Sequence, residues 1–315
     1  MRNVLICGAT GFIGRNLVEA MATYPEFRIT AQYHNRPPFE CPGVNWVQAD
    51  LTQVEDADRV AKDADVIVQA AAVTSGVADI VSQPHIHITD NAVMNSLLFR
   101  AAHDHGVSHF ILFSCSILYM SNEAARSEDD FTGEVHTPYH GGAWNKVYFE
   151  KMAEFFAAQG STRYTVLRHS NMYGPYDKYD PDHSHMFGAT VNKIMNAENG
   201  KITVWGDGTE SRDLLYVSDL TDAVLAALTR QRDAFGLFNI GSGKAVQVRE
   251  VVKKIIVASG RELSIAYDTA KPTVPTNIHL NCKRAAAALD WSPKISLDEG
   301  IALTLEWYRD NIMNT

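Results

Sequence analysis

The chain of 315 residues is 46% hydrophobic and 21% charged, an ordinary globular balance that excludes a disordered chain and leaves room for one large domain or two closely packed ones. A formal net charge of -9 argues against sequence-independent nucleic-acid binding, which needs a basic surface to displace counterions, so no nucleic-acid partner is expected. Four well-separated cysteines without CxxC spacing suggest neither a zinc site nor a disulfide framework, and no run approaches the about 18 apolar residues of a membrane span; a cytoplasmic protein with no metal and no membrane partner is expected.

Up to about residue 165, short apolar runs bounded by turns alternate with longer amphipathic segments, the pattern of βαβ units feeding a parallel sheet. Strands are predicted at 3–7, 28–33, 44–48, 66–69, 110–113 and 164–167, and their near-continuous apolar character fits strands buried on both faces. Beyond residue 170 the texture changes to polar, Pro- and Tyr-rich loops at 173–185, then a helix, then short strands such as 202–205. Segments 216–227 and 237–240 read as a helix and a strand that return to the first body. The expected fold is α/β: a doubly wound parallel sheet of the Rossmann kind over residues 1–170 plus a return segment at about 213–242, with a smaller C-terminal α/β lobe from 171–212 and 243–315.

Gly8-Ala9-Thr10-Gly11-Phe12-Ile13-Gly14 follows the first strand directly and opens an amphipathic helix with Leu17, Val18 and Met21 on one face. Glycines at this spacing let the chain turn tightly, admit a pyrophosphate to the backbone and leave room where helix meets strand, while the helix N-terminus offers free N–H groups. A dinucleotide is the expected cofactor. After the second strand, an acid would take the ribose hydroxyls of NAD(H), and a cation the 2′-phosphate of NADP(H). The sequence there reads His34-Asn35-Arg36, without an acid, so NADP(H) is favoured over NAD(H) with Arg36 as the phosphate ligand. Asp50 and Leu51 suit the adenine edge, and Ala70, Ala71 and Ala72 let the dinucleotide pass close to the backbone.

Further motifs follow in order: Asn171-Met172-Tyr173-Gly174-Pro175, Ser184-His185, Trp205-Gly206-Asp207-Gly208-Thr209, Arg212-Asp213, and Asp268-Thr269-Ala270-Lys271-Pro272. On these stretches, and over essentially its whole length, the chain resembles the extended short-chain dehydrogenase/reductases that act on nucleotide sugars, and within them the GDP-L-fucose synthases. The resemblance implies an NADP(H)-dependent oxidoreductase or epimerase whose partner is a nucleotide-sugar substrate. It points to a GDP-linked 4-keto sugar reduced at C4, with C3/C5 epimerisation open, in a homodimer paired through the helix bearing Lys146. The smaller lobe is then the substrate-binding one. A diphosphate needs fixed donors, and Arg212 with the Asn171 amide supplies them, a guanidinium holding phosphate oxygens as a fork; for Asn171, tying down a loop is the other reading. The resemblance also places Lys193, Trp205 and Lys271 on the substrate and His169 beside the cofactor.

Two places depart from the family pattern. Its reaction uses Tyr-x-x-x-Lys, so that both side chains share a helix face; Lys146 matches the lysine, and Gly142 stands where the tyrosine belongs. Tyr139, seven residues before Lys146, lies about 10 Å along a continuous helix, and reaches the sugar only if 139–142 bulges, which Gly141-Gly142 permits. A site lacking this tyrosine is the other reading. Cys115, flanked by Ser114 and Ser116, stands where the family has its catalytic serine or threonine, and Ile117 where the fucose synthases have a cysteine acid. Three roles stay open for Cys115: weak hydrogen bonding to the sugar, epimerising acid, or a small buried residue at a strand end. His185 matches the family's second epimerisation acid, with imidazole chemistry apt for proton exchange near neutral pH, while His169 and His183 stand nearby. The segment 273–277 is neutral where the family tends to be basic. Competing functions are a dinucleotide-binding sensor or scaffold that has lost turnover, motivated by Gly142, and a nucleotide-sugar 4-epimerase or 4-dehydrogenase.

Overall fold

The computed structural model describes residues 1–74, 83–180, 184–271 and 273–314, so that His183 and Pro272 lie outside the described residues. The apolar runs of the first half form β1 (Arg2–Cys7), β2 (Phe27–Tyr33), β3 (Asn45–Gln48), β4 (Val66–Gln69), β5 (His109–Cys115) and β6 (Arg163–His169). They are followed by β7 (Asn171–Tyr173), β8 (Lys201–Trp205), β9 (Ser211–Tyr216), β10 (Phe235–Ile240), β11 (Ala245–Gln247), β12 (Ser264–Asp268) and β13 (Asn277–Ile278).

A seven-stranded sheet runs in the order β10-β6-β5-β4-β1-β2-β3, and every neighbouring pair in it is parallel. Strand order reverses between β1 and β4, so the C-terminal ends of these two strands open onto a crevice, the place where doubly wound sheets take ligands. Alternate side chains of each strand enter opposite layers. Val4 and Ile6 pack with Leu17 and Val18 of the helix Phe12–Met21 and with Leu220 and Val224 of the helix Val217–Arg230. Leu5 and Cys7 pack on the other side with Leu98 and Phe99 of the helix Thr89–Asp104 and Phe149 of the helix His140–Ala157. Both faces being covered, the strands carry apolar residues at consecutive rather than alternate positions.

The second body has its own core, in which Phe187, Val191, Val251, Ile255, Ile301 and Leu305 meet between the helices Met186–Met195, Val248–Ser259 and Leu297–Tyr308. Its central strand β9 is flanked by β11 antiparallel and β13 parallel, with β7 pairing along its later half. β9 runs directly into the helix Val217–Arg230, which covers the large sheet, and β10 then joins that sheet at its edge beside β6. One continuous stretch of chain therefore stitches the two bodies together. No helix among the described residues is long and apolar enough to cross a membrane.

Candidate active site

The glycine-rich turn is built around backbone contacts that exclude any side chain. Gly8 has a φ of +68°, and a Cβ there would lie 2.6 Å from Ala71 Cα, while a Cβ on Gly14 would overlap the Gly8 carbonyl. Gly11 caps the helix whose first residues are Phe12 and Ile13, with no side chain spent on the cap, so those N–H groups remain for an anion. Gln32, which the sequence reading passed over, fixes the turn: its Oε1 accepts from the Gly8 N–H at 2.8 Å and its Nε2 donates to the Ala49 carbonyl at 2.7 Å. A glutamine inside an apolar strand was the available signal. Arg36 lies exposed over this turn and donates from Nη1 to the Thr10 carbonyl at 3.0 Å; Asn35 is exposed beside it. His34 Nε2 stands 4.0 Å from Asp50 Oδ2. The Thr52 N–H and hydroxyl both donate to Asp50 and hold its carboxyl below the usual range. The Leu51 side chain is buried in the core, packing inward rather than against an adenine. After β4, Gln69 pins the Ala70–Ala72 stretch by accepting from the Ala71 N–H at 3.2 Å. This cradle fits a dinucleotide pyrophosphate, because the glycines let the turn close tightly on its own backbone and leave uncapped helix N–H groups at its mouth.

Cys115 ends β5 in register with His169 at the end of β6. Lys146, on the helix His140–Ala157, donates from Nζ to the Phe113 carbonyl at 2.7 Å. Burial pushes the Cys115 thiol up, opposed by the Lys146 charge and the Ile117 N–H. The His169 ring lies 2.7 Å through Nδ1 from the Ser170 carbonyl, which can only accept, so Nδ1 carries the proton. Burial lowers its pKa to about 4, with Lys146 and His185 adding to the effect. His185 is the exposed N-cap residue of the helix Met186–Met195, and desolvation, with Lys178 and His87 nearby, lowers its pKa and favours the neutral imidazole.

Three sequence expectations change here. The helix starts at His140 directly after the turn Thr137–Tyr139, so the segment from His140 to Lys146 is regular and the bulge that would carry Tyr139 toward Lys146 does not form. Gly141 serves packing instead: a Cβ there would overlap Ile88 Cδ1. Tyr139 does reach the cleft, but its phenol feels Arg212, Cys115 and Glu210 rather than Lys146, and burial holds its pKa up. Gly142 leaves the tyrosine position open, with Ile117 Cδ1 3.6 Å from where a Cβ would be. Ser114 turns away from the cleft, its hydroxyl donating to Glu150 at 2.6 Å in the interior, and Ser116 is buried. Cys115 is thus the member of the Ser114–Cys115–Ser116 trio that faces the site.

Beneath these residues lies a buried charged network. Arg168 donates from Nε and Nη2 to the two oxygens of Glu150 at 2.8 and 2.6 Å, and from Nη1 to the Tyr119 hydroxyl at 2.8 Å and the Glu128 carbonyl at 2.9 Å. Tyr119 donates to Asn239 Oδ1 at 2.8 Å, and the Asn239 N–H donates to Glu128 Oε1 at 2.7 Å. Arg168 and Glu150 are only 5% and 6% exposed, so the pair persists because nearly every polar atom in it is matched.

In the second body, Met186, Thr190, Lys193, Trp205, Glu210 and Arg212 line one pocket with Val274. Arg212 is clamped there, donating from Nη1 to Thr276 Oγ1 at 2.7 Å and from Nη2 to the Val274 carbonyl at 3.0 Å. Next to it, Asp213 is fully buried and accepts from the Ser242 and Leu280 N–H groups at 2.8 and 3.0 Å, which fixes β9. Asn171 is exposed at the start of β7 and donates to the Asp213 carbonyl at 3.2 Å. Lys193 and Lys271 hold their ammonium groups 5.0 and 5.4 Å from the Trp205 ring centre.

The model of the NAD-dependent epimerase/dehydratase family matches residues 4–241. The chain belongs to that family. Its curated relatives include a dTDP-4-dehydro-6-deoxy-D-allose reductase of a Streptomyces species, 28% identical over 98% of this chain and 96% of the relative. Another is a GDP-L-fucose synthase of Sinorhizobium fredii, 25% identical over 99% of this chain and 96% of the relative. Among solved structures, the UDP-glucose 4-epimerase of Thermotoga maritima with UDP-glucose superposes with a TM-score of 0.87 at 25% identity, covering 98% of this chain and 99% of that one. The chain is thus an NAD(P)-dependent nucleotide-sugar oxidoreductase or epimerase of the epimerase/dehydratase family.

The buried pair gives a direct stability test. Arg168→Met leaves Glu150 buried without its cation and is expected to lower the unfolding free energy by about 3–5 kcal/mol, most of it recovered when Glu150→Leu is added. Urea unfolding of both variants measures this; an unchanged midpoint in the single variant would contradict the arrangement.

Proposed function

We propose that the protein is an NADP(H)-dependent reductase of a nucleotide-diphosphate 4-keto sugar, GDP-linked in the first instance, that also epimerises the carbon beside the ketone. The observation that carries this reading is the convergence of Cys115, Lys146, His169 and His185 at the C-terminal ends of β5 and β6, between the glycine cradle and Arg212. In this reading residues 1–170 with about 213–242 hold the cofactor, and 171–212 with 243–315 hold the substrate. Lys146 and His169 border the nicotinamide end, Arg36 the 2′-phosphate, and Arg212 with Asn171 the diphosphate, while Lys193, Trp205 and Lys271 receive the nucleoside. Bound in the cradle, the reduced nicotinamide supplies a hydride. Neutral His185 can take the acidic proton next to the ketone, and the Cys115 thiol can return one from the other side or hydrogen-bond the C4 oxygen. Tyr139, whose phenol feels both Arg212 and Cys115, stands between the diphosphate end and the thiol, where it can hydrogen-bond the sugar.

The open position at Gly142 favours one competing reading, a sensor that binds dinucleotide without turnover. Absorbance at 340 nm with NADPH and a panel of GDP-, dTDP- and UDP-4-keto sugars separates the two. Oxidation of NADPH with the GDP sugar is expected; no oxidation across the panel with NADPH binding intact would leave the sensor. Loss of one charge-assisted phosphate contact, about 1.5–3 kcal/mol, should make Arg36→Ala raise the KM for NADPH about 10- to 100-fold and leave that for NADH unchanged. Equal effects on both cofactors would remove the NADP(H) preference. The helix His140–Ala157 also exposes Trp144, Tyr148 and Phe155 at 40%, 53% and 59%, an apolar strip that favours pairing with a second copy of the chain. Light scattering is expected to give a dimer mass, and a monomer mass would overturn the pairing.

A further inference from the structure

Glu210 lines the pocket that contains Trp205 and Arg212 and is half-buried there, one short step before β9 begins. Its position is fixed. Gly206 and Gly208, at φ +77° and +71°, make the turn out of β8, and Cβ atoms on them would lie 2.7 Å from Thr273 Cγ2 and 3.0 Å from Tyr267 Cε1. The Glu210 carbonyl accepts from the Val248 N–H at 2.9 Å, and the Ser211 N–H donates to the Thr276 carbonyl at 3.0 Å. Its carboxylate acts through space on the Tyr139 phenol but makes no hydrogen bond or ion pair within the described residues. Arg212, two residues on, gives its Nη1 and Nη2 donors to Ser211, Thr276 and Val274 rather than to Glu210.

In extended chain, residues i and i+2 point to the same side about 7 Å apart. Glu210 and Arg212 therefore face the pocket together. Ionised carboxylates only accept, so the group opposite Glu210 must donate. A diphosphate has no donor to offer at neutral pH and belongs on Arg212. The flat indole of Trp205, with Lys193 and Lys271 at its rim, suits a base. Between phosphate and base lies the ribose, whose 2′- and 3′-hydroxyls present two adjacent O–H donors to one carboxylate, the pairing that acids use on the ribose of NAD(H).

We propose that Glu210 binds the ribose diol of the substrate's nucleotide and selects ribonucleoside diphosphate sugars over their 2′-deoxy counterparts. This rests on the nucleotide-sugar reading above and sharpens it, because the relatives named above include both GDP- and dTDP-linked enzymes. A 2′-deoxyribose leaves one carboxylate oxygen without its donor in a half-buried site, a loss expected to be large for a charged acceptor.

Calorimetric titration of the NADPH-loaded protein with the matched pairs GDP and 2′-deoxy-GDP, and UDP and 2′-deoxy-UDP, tests this. The parent protein is expected to bind each ribonucleotide about 10-fold or more tightly than its deoxy partner. Glu210→Gln and Glu210→Ala should shrink that ratio below about threefold while keeping the parent's affinity for the deoxy nucleotides within about threefold, which shows that the pocket is intact. Equal affinity for GDP and 2′-deoxy-GDP in the parent, or an unchanged ratio in both variants, would overturn the role of Glu210 and leave the nucleotide-sugar reading standing. Failure of all four nucleotides to bind the parent would overturn that reading and this one with it.

Discussion

The ion pair between Arg168 and Glu150 is the contact on which the candidate active site depends. Arg168 precedes His169 at the tip of β6, Glu150 lies one helical turn beyond Lys146, and the Ser114 hydroxyl bound to Glu150 precedes Cys115 at the tip of β5. Three chain segments are thereby locked at the points that carry the candidate side chains Cys115, Lys146 and His169. Extending through Tyr119, Glu128 and Asn239, the same network reaches β10, the strand by which the chain returns from the second body. A charged pair in that position adds little net stability over an apolar one, since desolvation offsets most of the attraction. What it adds is geometry: a guanidinium fork and a carboxylate have few satisfactory arrangements.

A second anchor does for the second body what this pair does for the first. Asp213 is buried and saturated by N–H groups from the 242–243 turn and Leu280, which holds β9 against the segment that clamps Arg212. In the proposed reading the site's proton chemistry departs from a tyrosine–lysine couple: the Lys146 charge acts on Cys115 and His169, and the Tyr139 phenol feels Arg212 and Cys115. Thiol and imidazole differ from a phenol in that their ordinary pKa values lie closer to neutrality, so modest shifts in either direction change which of them holds a proton.

Much of the fold was legible because its signals are local. Strands buried on both faces write themselves as apolar runs, and the glycine turn announces itself by spacing. The six strands expected in the first half appear as β1 to β6, and residues 237–240 fall in β10. At the candidate site, Lys146, Arg212 and the glycine turn could be singled out from residue type and spacing alone, and the structure gives each a fixed place, while their roles belong to the proposed reading. The site was not legible where the outcome depends on which way a side chain turns. Ser114 and Cys115 are neighbours with opposite orientations, set by the pleat of β5 and by a glutamate 36 residues away. Gly141-Gly142 looked like a means of bulging the helix and instead makes room for Ile88, a contact that no local pattern encodes. The charge of Arg168 within an apolar strand was visible, but its partners came from three separate segments.

The most direct measurement of the central claim is a crystal structure with NADPH and a nucleotide 4-keto sugar bound together. The sugar ring is expected between the Cys115 thiol and the His185 imidazole, with Lys146 against the nicotinamide ribose and the diphosphate on Arg212. A sugar ring turned to solvent, with Cys115 and His185 untouched, would contradict the placement of the reaction in this cleft.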